Sequence, residues 1–158
     1  MVAIRDSRGL AITLDAPTPE DEARLISDLC ALIRERDPDV IENHNLFGFD
    51  LSFLEQRAAV LGVPLALGRQ GGPMAMERRE ETLAIGPQAR RRTRYSVAGR
   101  ELIDTLDAVR RHDFVVRDMP SYSLKDGNYS VGVSKGRKNG MPRKRVIKCR
   151  EEFHPLLA

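Results

Sequence analysis

Long apolar runs are missing from this sequence. No stretch approaches the roughly 20 consecutive apolar residues that a helix needs to cross a bilayer, so we expect no membrane partner. The first nine residues, MVAIRDSRG, place charges where a secretory signal peptide needs its apolar centre. Export is therefore not expected, and a cytoplasmic location is the default prediction.

Cysteine and histidine are scarce, and neither shows the spacing of a metal site. The two cysteines, Cys30 and Cys149, lie far apart, and the three histidines share no spacing. Cys30 follows Leu29 in a helical apolar pattern, which predicts a small buried side chain. For His44, which precedes a polar turn, packing within a loop is favoured over contact with a substrate.

Basic residues are present in modest excess but are strongly clustered. The 158 residues suffice for one domain, and the 41% apolar and 31% charged content is typical of a soluble globular protein. The net charge is only +3, yet arginine and lysine gather at 90–94, at 110–111 and across 135–150. Such clusters indicate a phosphate-binding surface, and a solvated basic surface is the alternative.

The first part of the chain predicts a hairpin, a helix and a strand. Residues 1–6 and 10–15 are rich in Val, Ile and Leu and are separated by a turn that contains Gly9. Residues 19–36 have helical apolar periodicity, with Thr18 as the capping residue and an Asp-Pro pair at 37–38 as the stop. A short buried strand is expected at 40–41.

The following segments continue the alternation of predicted helices and strands. A helix is predicted to run to about Leu61, followed by a strand at 65–67. Two further strands are predicted at 94–97 and 100–106, with a helix or turn at 107–112, whereas residues 74–88 show no clear period. The alternation predicts an α/β layered domain over residues 1–125. Residues 126–158 are rich in glycine and basic side chains and predict a flexible basic tail.

Asp50 is the main candidate for a catalytic residue. Two-metal hydrolysis of a phosphodiester needs carboxylates that converge on divalent cations, and Mg²⁺ binds through few protein ligands. Asp50 lies where a polar loop turns into a helix. Asn45 could hold that loop or touch a substrate, and Phe49 could wedge against a base or sugar. The alternative makes Asp50 a helix cap and nothing more.

A family resemblance favours the catalytic interpretation. Residues 37–58 contain Asp-Pro-Asp-Val-Ile, then Asn45, then the Phe49-Asp50 pair, and end in Leu-Glu-Gln-Arg-Ala. A second block contains Gly-Arg-Glu-Leu-Ile-Asp-Thr-Leu at 99–106 and Met-Pro-Ser-Tyr-Ser-Leu-Lys at 119–125. Together these blocks resemble the exonuclease domain of family-B DNA polymerases and its stand-alone relatives.

The resemblance implies a ribonuclease-H-like fold, with a mixed β-sheet flanked by helices. It implies 3'-to-5' exonuclease activity on DNA, with four acidic residues and a tyrosine around two Mg²⁺ or Mn²⁺ ions. Asp50 matches a catalytic, metal-linked aspartate of the family, and Asn45 and Phe49 match substrate-facing positions. Asp104 matches a position outside the catalytic set and is expected to be structural.

The sequence departs from the family pattern in two places. The Asp-x-Glu motif of the first core strand should precede the hairpin that begins at Met1, so the fold is expected to lack that strand and to expose a sheet edge. The third motif, Tyr-x-x-x-Asp, is matched only by residues 122–126, where Gly127 would cut the helix short, and we interpret this match as accidental.

Three hypotheses follow from these observations. The first is an exonuclease-like domain that acts on single-stranded 3' ends of DNA and is impaired because carboxylates are missing. The second is a non-catalytic nucleic-acid-binding module, and the third is an inactive gene fragment of marginal stability. Whether a polymerase or another partner completes the site is left open by the sequence.

Overall fold

The computed structural model describes residues 1–70, 76–117 and 121–122, together with the backbone of residues 146–149. This part of the chain forms strands, three α-helices, a 3-10 turn at Pro19–Asp21 and a π-helix at Leu46–Asp50. The strands are β1 Val2–Asp6, β2 Ala11–Leu14, β3 Val40–Asn43, β4 Met76–Ile85, β5 Gln88–Val97, β6 Glu101–Asp104 and β7 Val146–Cys149. The helices are α1 Glu22–Arg36, α2 Leu51–Leu61 and α3 Thr105–Val116. The predicted mixed α/β class is confirmed.

The predicted N-terminal hairpin is confirmed. β1 and β2 pair antiparallel, and Gly9 takes a φ of 93° in the turn, a backbone conformation that glycine adopts without steric cost. The carboxylate of Asp6 accepts hydrogen bonds from the backbone N–H groups of Arg8 (2.8 Å) and Leu10 (2.9 Å). Arg36, in the last turn of α1, donates to the same carboxylate and joins the hairpin to the helix.

Helix α1 ends where the sequence predicts, whereas its predicted first turn, Pro19–Asp21, is a 3-10 turn and the α-helix begins at Glu22. The hydroxyl of Thr18 donates to Asp21 at 2.9 Å, and Asp37 closes the helix in the left-handed region at φ 44°. The apolar face of α1 is buried and includes Cys30, as predicted; burial raises the pKa of its thiol. Leu46, Phe47 and Leu51 belong to the same core, which lies between the helices and the sheet.

Five strands form the main sheet, in the order β2-β1-β7-β3-β6. β7 pairs antiparallel with β1 and parallel with β3, so it occupies the central position. β1 therefore has a paired strand on each side, β2 on one and β7 on the other. The prediction of an exposed sheet edge at β1 is therefore wrong, because residues 146–149 pair with that edge. The predicted division of the chain at residue 125 stays a prediction.

The parallel pair β3–β6 positions the candidate site. Val40 lies opposite Glu101 and Asn43 opposite Asp104, so both strands end at the same edge of the sheet. The π-helix and α2 follow β3 directly, and α3 follows β6. Two polar turns are thereby brought side by side from sequence positions about sixty residues apart.

A long hairpin, β4–β5, is the main element that the sequence did not predict. Ten residue pairs join its strands, from Met76 opposite Val97 to Ile85 opposite Gln88. The predicted strand at 94–97 is only its last part. The predicted strand at 65–67 is wrong: the carbonyl of Leu67 accepts a hydrogen bond from the Arg100 side chain at 2.8 Å instead of joining a ladder.

Helix α3 begins earlier and ends later than predicted. Asp104 caps it by accepting from the backbone N–H of Leu106 at 3.0 Å, which ends β6 at this residue. The glycine and basic residues of the predicted tail, other than the backbone of 146–149, lie outside the described residues, as does Asp126 of the Tyr-x-x-x-Asp match. Within the described part of the chain, no helix is long and apolar enough to span a bilayer.

Candidate functional site

The candidate residues Asn45, Phe49 and Asp50 lie together in one short π-helical turn. Asn45 precedes the π-helix in the left-handed region at φ 62°, which asparagine tolerates better than most residues. Its carbonyl accepts from the backbone N–H of Phe49 at 2.9 Å, and the carbonyl of Leu46 accepts from Leu51, five residues on. Single π turns of this kind are frequent at functional sites.

Gly48 lies very close to the side chain of Asn45. A Cβ atom at position 48 would collide with the side-chain oxygen of Asn45. The Asn45 side chain therefore lies across the backbone of the turn, which supports the predicted role in holding the loop. Direct contact between Asn45 and a substrate stays a prediction.

Asp104 anchors the turn from the neighbouring strand. Its carboxylate accepts from the backbone N–H groups of Asn45 (2.9 Å), Phe47 (3.1 Å) and Leu106 (3.0 Å), and the residue is only 9% exposed. A carboxylate that accepts three backbone hydrogen bonds stabilises the local backbone conformation, and most of its acceptor positions are then occupied and not open to a metal ion. The structural role expected for Asp104 is confirmed.

His44 contacts two other segments of the chain, and whether it approaches a substrate stays a prediction. Its Nε2 lies 2.8 Å from the carbonyl oxygen of Tyr122, and its Nδ1 lies 3.5 Å from the hydroxyl of Thr105. The Tyr122 hydroxyl donates to Asp113 at 2.6 Å, and this bond raises the pKa of the phenol. These contacts hold residues 121–122 against the carboxyl ends of β3 and β6.

Asp50 is half-buried at the junction between the π-helix and α2. Its backbone is helical, with φ −59° and ψ −54°, and its side chain makes no capping hydrogen bond to α2. The interpretation of Asp50 as a helix cap therefore lacks the contact that defines a cap. Asp50 directly follows Phe49, whose side chain is 40% exposed.

Phe53 is a neighbour that the sequence interpretation missed. Its ring lies one helical turn beyond Phe49, with the two ring centroids 6.0 Å apart and the ring planes inclined by 6°. Phe53 is 53% exposed. The four-residue spacing was the available signal, because residues four apart share one helix face.

Arg92 is a second missed residue, and it joins the β4–β5 hairpin to the site. Its guanidinium lies 5.6 Å from the centroid of the Phe47 ring and donates to Glu81 at 2.8 Å. It also forms an ion pair with Asp107 in the first turn of α3. The hydrogen bond from Arg92 is the main cause that lowers the pKa of Glu81. One arginine thus contacts the hairpin, the π-helix and α3.

Tyr95 makes the second connection between the hairpin and the helical layer. Its ring is 1% exposed and lies 6.4 Å from the Phe47 ring, and its hydroxyl donates to Glu55 of α2 at 2.9 Å. Burial, followed by this carboxylate, raises the pKa of Tyr95. The hairpin is consequently fixed at its base and exposed over much of its length.

Asp37, Asp39 and Arg100 of the resembling blocks lie at the other end of β3 and β6. Arg69 donates to Asp37 (2.7 Å) and to Asp39 (2.6 Å), and Arg100 donates to Asp37 (3.0 Å). The hydrogen bond from Arg69 is the main cause that lowers the pKa of Asp37. These side chains join the end of α1 to the start of β6, at the edge opposite the candidate site.

The described residues do not build a complete metal site. Among them, no group of three or more carboxylate, imidazole or thiolate side chains converges as ligands. Asp104 is engaged by backbone N–H groups, which leaves Asp50 as the one predicted metal ligand at this edge. A pair of divalent ions therefore does not fit the described side chains taken alone.

Comparison with known proteins decides the family. The profile of the DNA polymerase family B exonuclease domain matches residues 12–126. This chain belongs to the family-B DNA polymerase exonuclease domains. The match contains both blocks of the resemblance and ends just beyond Lys125.

Curated relatives of this exonuclease domain include DNA polymerases of Pyrococcus and Aeropyrum species. DNA polymerase 1 of Pyrococcus abyssi is 31% identical over 132 residues, which are 79% of this chain and 15% of the relative. DNA polymerase 2 of Aeropyrum pernix is 32% identical over 133 residues, covering 84% of this chain and 15% of the relative. The chain thus spans about 15% of the length of these relatives. An exonuclease-like function of the 3'-to-5' type is supported.

Proposed function

We propose that this exonuclease-like domain binds the single-stranded 3' end of DNA at the π-helix and that Asp50 supplies one carboxylate to a bound Mg²⁺ or Mn²⁺ ion. Asn45 and Phe49 contact the substrate. Hydrolysis by this chain is impaired, because the described residues supply too few metal ligands. The observation that carries the proposal is the gathering of Asn45, Phe49 and Asp50 in one turn at the carboxyl ends of β3 and β6.

The charge of the neighbouring hairpin supports DNA as the ligand. Residues 76–97 contain six arginines and three glutamates, a net charge of +3. Arg90 and Arg91 are exposed near the turn of the hairpin, and Arg94 is exposed nearer its base. Basic side chains attract the phosphate backbone without regard to sequence, and such binding weakens as salt concentration rises.

The expected impairment of hydrolysis follows from the negative charge of the transition state. The transition state of phosphodiester hydrolysis accumulates negative charge, and electrostatic stabilisation of that charge supplies much of the rate enhancement. Asp50 would supply one carboxylate to a single divalent ion, with substrate oxygens completing the shell, and would leave a second ion without a protein carboxylate. Carboxylates from outside the described residues, or from a partner, would be needed for full activity.

The test uses the full chain, a 5'-labelled single-stranded oligonucleotide, and Mg²⁺ or Mn²⁺. We expect salt-sensitive binding and slow or absent trimming from the 3' end. Asp50→Asn is the matched variant, because it removes the charge and keeps the shape. Any metal-dependent trimming should fall to the background in this variant, whereas affinity for DNA without metal should stay within about twofold of the wild type, because phosphate contacts dominate that affinity. Trimming that survives Asp50→Asn unchanged would overturn the metal role of Asp50.

A non-catalytic binding module is the second candidate function. The ion pairs that fix the hairpin to α2 and α3 favour it, because they present the exposed arginines on a rigid arm without needing a metal. This candidate predicts that no trimming occurs with either metal and that binding stays salt-sensitive. Affinity that does not change between low and physiological salt would exclude both candidates.

A further inference from the structure

Two exposed aromatic rings lie beside Asp50 on the outer side of α2. Phe49 and Phe53 are 40% and 53% exposed, although the sequence contains only five phenylalanines and no tryptophan. Their rings are almost parallel, with 6.0 Å between the centroids. Neighbouring exposed aromatic rings form an apolar patch, and such patches on proteins mark sites of interaction.

The packing of α2 does not require Phe53 to be aromatic. Leu51 and Ala58 are the buried residues of this helix. Phe53 follows Leu51 by two residues, which is about 200° around a helix with 3.6 residues per turn. Its side chain therefore points away from the core, on the side where Gln56 is also exposed.

The two rings belong to a domain that also carries a basic hairpin. The π-helix that carries Phe49 packs against β5, where the guanidinium of Arg92 lies over the Phe47 ring and is paired with Glu81 and Asp107. Arg90 and Arg91, near the turn of the same hairpin, are exposed. A nucleotide combines a base, which stacks on aromatic rings, with a phosphate, which arginine attracts. A purely apolar partner would make no use of the basic hairpin.

We propose that Phe53 extends the surface of Phe49 into a stacking platform for a base of single-stranded nucleic acid. The ligand reaches the platform along the DNA-binding face of the proposed function, on which this inference rests. Every base presents a flat face, so the platform does not discriminate between sequences. Phe53 is a binding residue and takes no part in bond cleavage.

The experiment uses a single-stranded oligonucleotide with 2-aminopurine at its 3' end, whose fluorescence is quenched when the base stacks, and the full chain in a chelating buffer without divalent metal. A second oligonucleotide carries an abasic 3' residue and keeps the phosphates. Phe53→Ala and Phe53→Leu remove the flat ring, and the leucine retains apolar volume. Val60→Ala is the control, because Val60 is 74% exposed on the same helix and lies beyond the platform.

Both Phe53 variants should bind the intact oligonucleotide about fivefold or more weakly and quench it less, as expected when one stacking ring is lost. The abasic oligonucleotide should bind the wild type and the Phe53 variants with equal affinity. Val60→Ala should match the wild type with both ligands. Unchanged melting temperatures would confirm that the variants keep the fold.

Two results would overturn the platform while leaving DNA binding in place. The first is unchanged quenching and affinity in Phe53→Ala; the second is an equal loss with the abasic oligonucleotide, since the ring would then act through the fold. Self-association that disappears in Phe53→Ala would instead assign the patch to a second copy of the chain. Absence of salt-sensitive binding by the wild type to either oligonucleotide would refute the proposed function itself.

Discussion

The two ends of the parallel pair β3–β6 hold their charged side chains in different ways. At the amino end, Asp37 and Asp39 form ion pairs with Arg69 and Arg100 at distances of 2.6 to 3.0 Å. At the carboxyl end, the carboxylate of Asp104 accepts its three hydrogen bonds from backbone N–H groups rather than from arginine side chains. The first arrangement joins secondary-structure elements, and the second shapes a loop.

The comparison separates two functions within the family motifs. The Asp-Pro-Asp segment at 37–39 and the Gly-Arg pair at 99–100 belong to the amino-end network, where they position the strands. Asn45 and the Phe49-Asp50 pair belong to the carboxyl end, where a ligand can reach them. Motif residues close together in the sequence therefore lie at opposite ends of β3 and β6. Those at the amino end position the strands, and those at the carboxyl end are accessible to a ligand.

Removing Arg100 should have the largest effect on stability. Its side chain is 1% exposed and donates to the buried carbonyls of Leu67 and Pro38. Arg100→Met keeps the length and loses these donors, so the free energy of unfolding should fall by roughly 2–6 kcal/mol, at about 1–3 kcal/mol for each of the two buried acceptors left unsatisfied. Urea denaturation followed by circular dichroism measures the change.

Arg69→Met provides the matched control for this prediction. The Arg69 side chain is 37% exposed, so solvent screens its ion pairs and the expected loss of stability is much smaller than that of Arg100→Met. Oligonucleotide affinity of both variants should equal that of the wild type under conditions where they remain folded, because neither side chain lies at the candidate site. Equal stability losses in the two variants would show that burial is not what distinguishes Arg100.

Removing the Asp104 carboxylate should have an intermediate effect on stability. It should also alter the backbone of the candidate site. Asp104→Ala leaves the N–H groups of Asn45 and Phe47 without their acceptor and removes the cap of α3, at a cost of about 1–3 kcal/mol. Asp104→Asn keeps one side-chain oxygen and should lose less. Amide hydrogen exchange at Asn45 and Phe47 should accelerate in both variants, more strongly in Asp104→Ala. Exchange at the wild-type rate would mean that the turn holds its shape without this anchor.

Local patterns in the sequence predict much of this fold. The N-terminal hairpin, α1 and α2 follow from apolar periodicity, with end signals such as Gly9 and Asp37-Pro38. The β4–β5 hairpin escapes such reasoning, because cross-strand contacts between charged side chains, such as Arg92 with Glu81, replace the alternation of apolar and polar residues. The central place of β7 also escapes it, since this pairing joins segments more than a hundred residues apart.

The candidate site was predictable only in part. The family resemblance indicated Asn45, Phe49 and Asp50, and the structure shows them in a single turn. The anchoring of that turn by Asp104 depends on the parallel register of β3 and β6, which no local pattern specifies. Arg92 reaches the site through a hairpin that was not predicted, so its contact with Phe47 could not have been inferred.

Acid should weaken the amino-end network, and this is the smallest expected effect. Hydrogen bonding to Arg69 holds the pKa of Asp37 below its ordinary value of 3.8. A carboxyl with a lowered folded-state pKa contributes stability that is fully present above its unfolded pKa and is lost as the pH falls through the folded value. The melting temperature of the wild type should therefore decline as the pH falls below about 4, and Asp37→Asn should decline less steeply. Asp28→Asn, which changes an exposed carboxylate on α1, should keep the wild-type slope. Parallel melting curves for Asp37→Asn and the wild type across this range would show that the ion pair with Arg69 adds nothing to stability in solution.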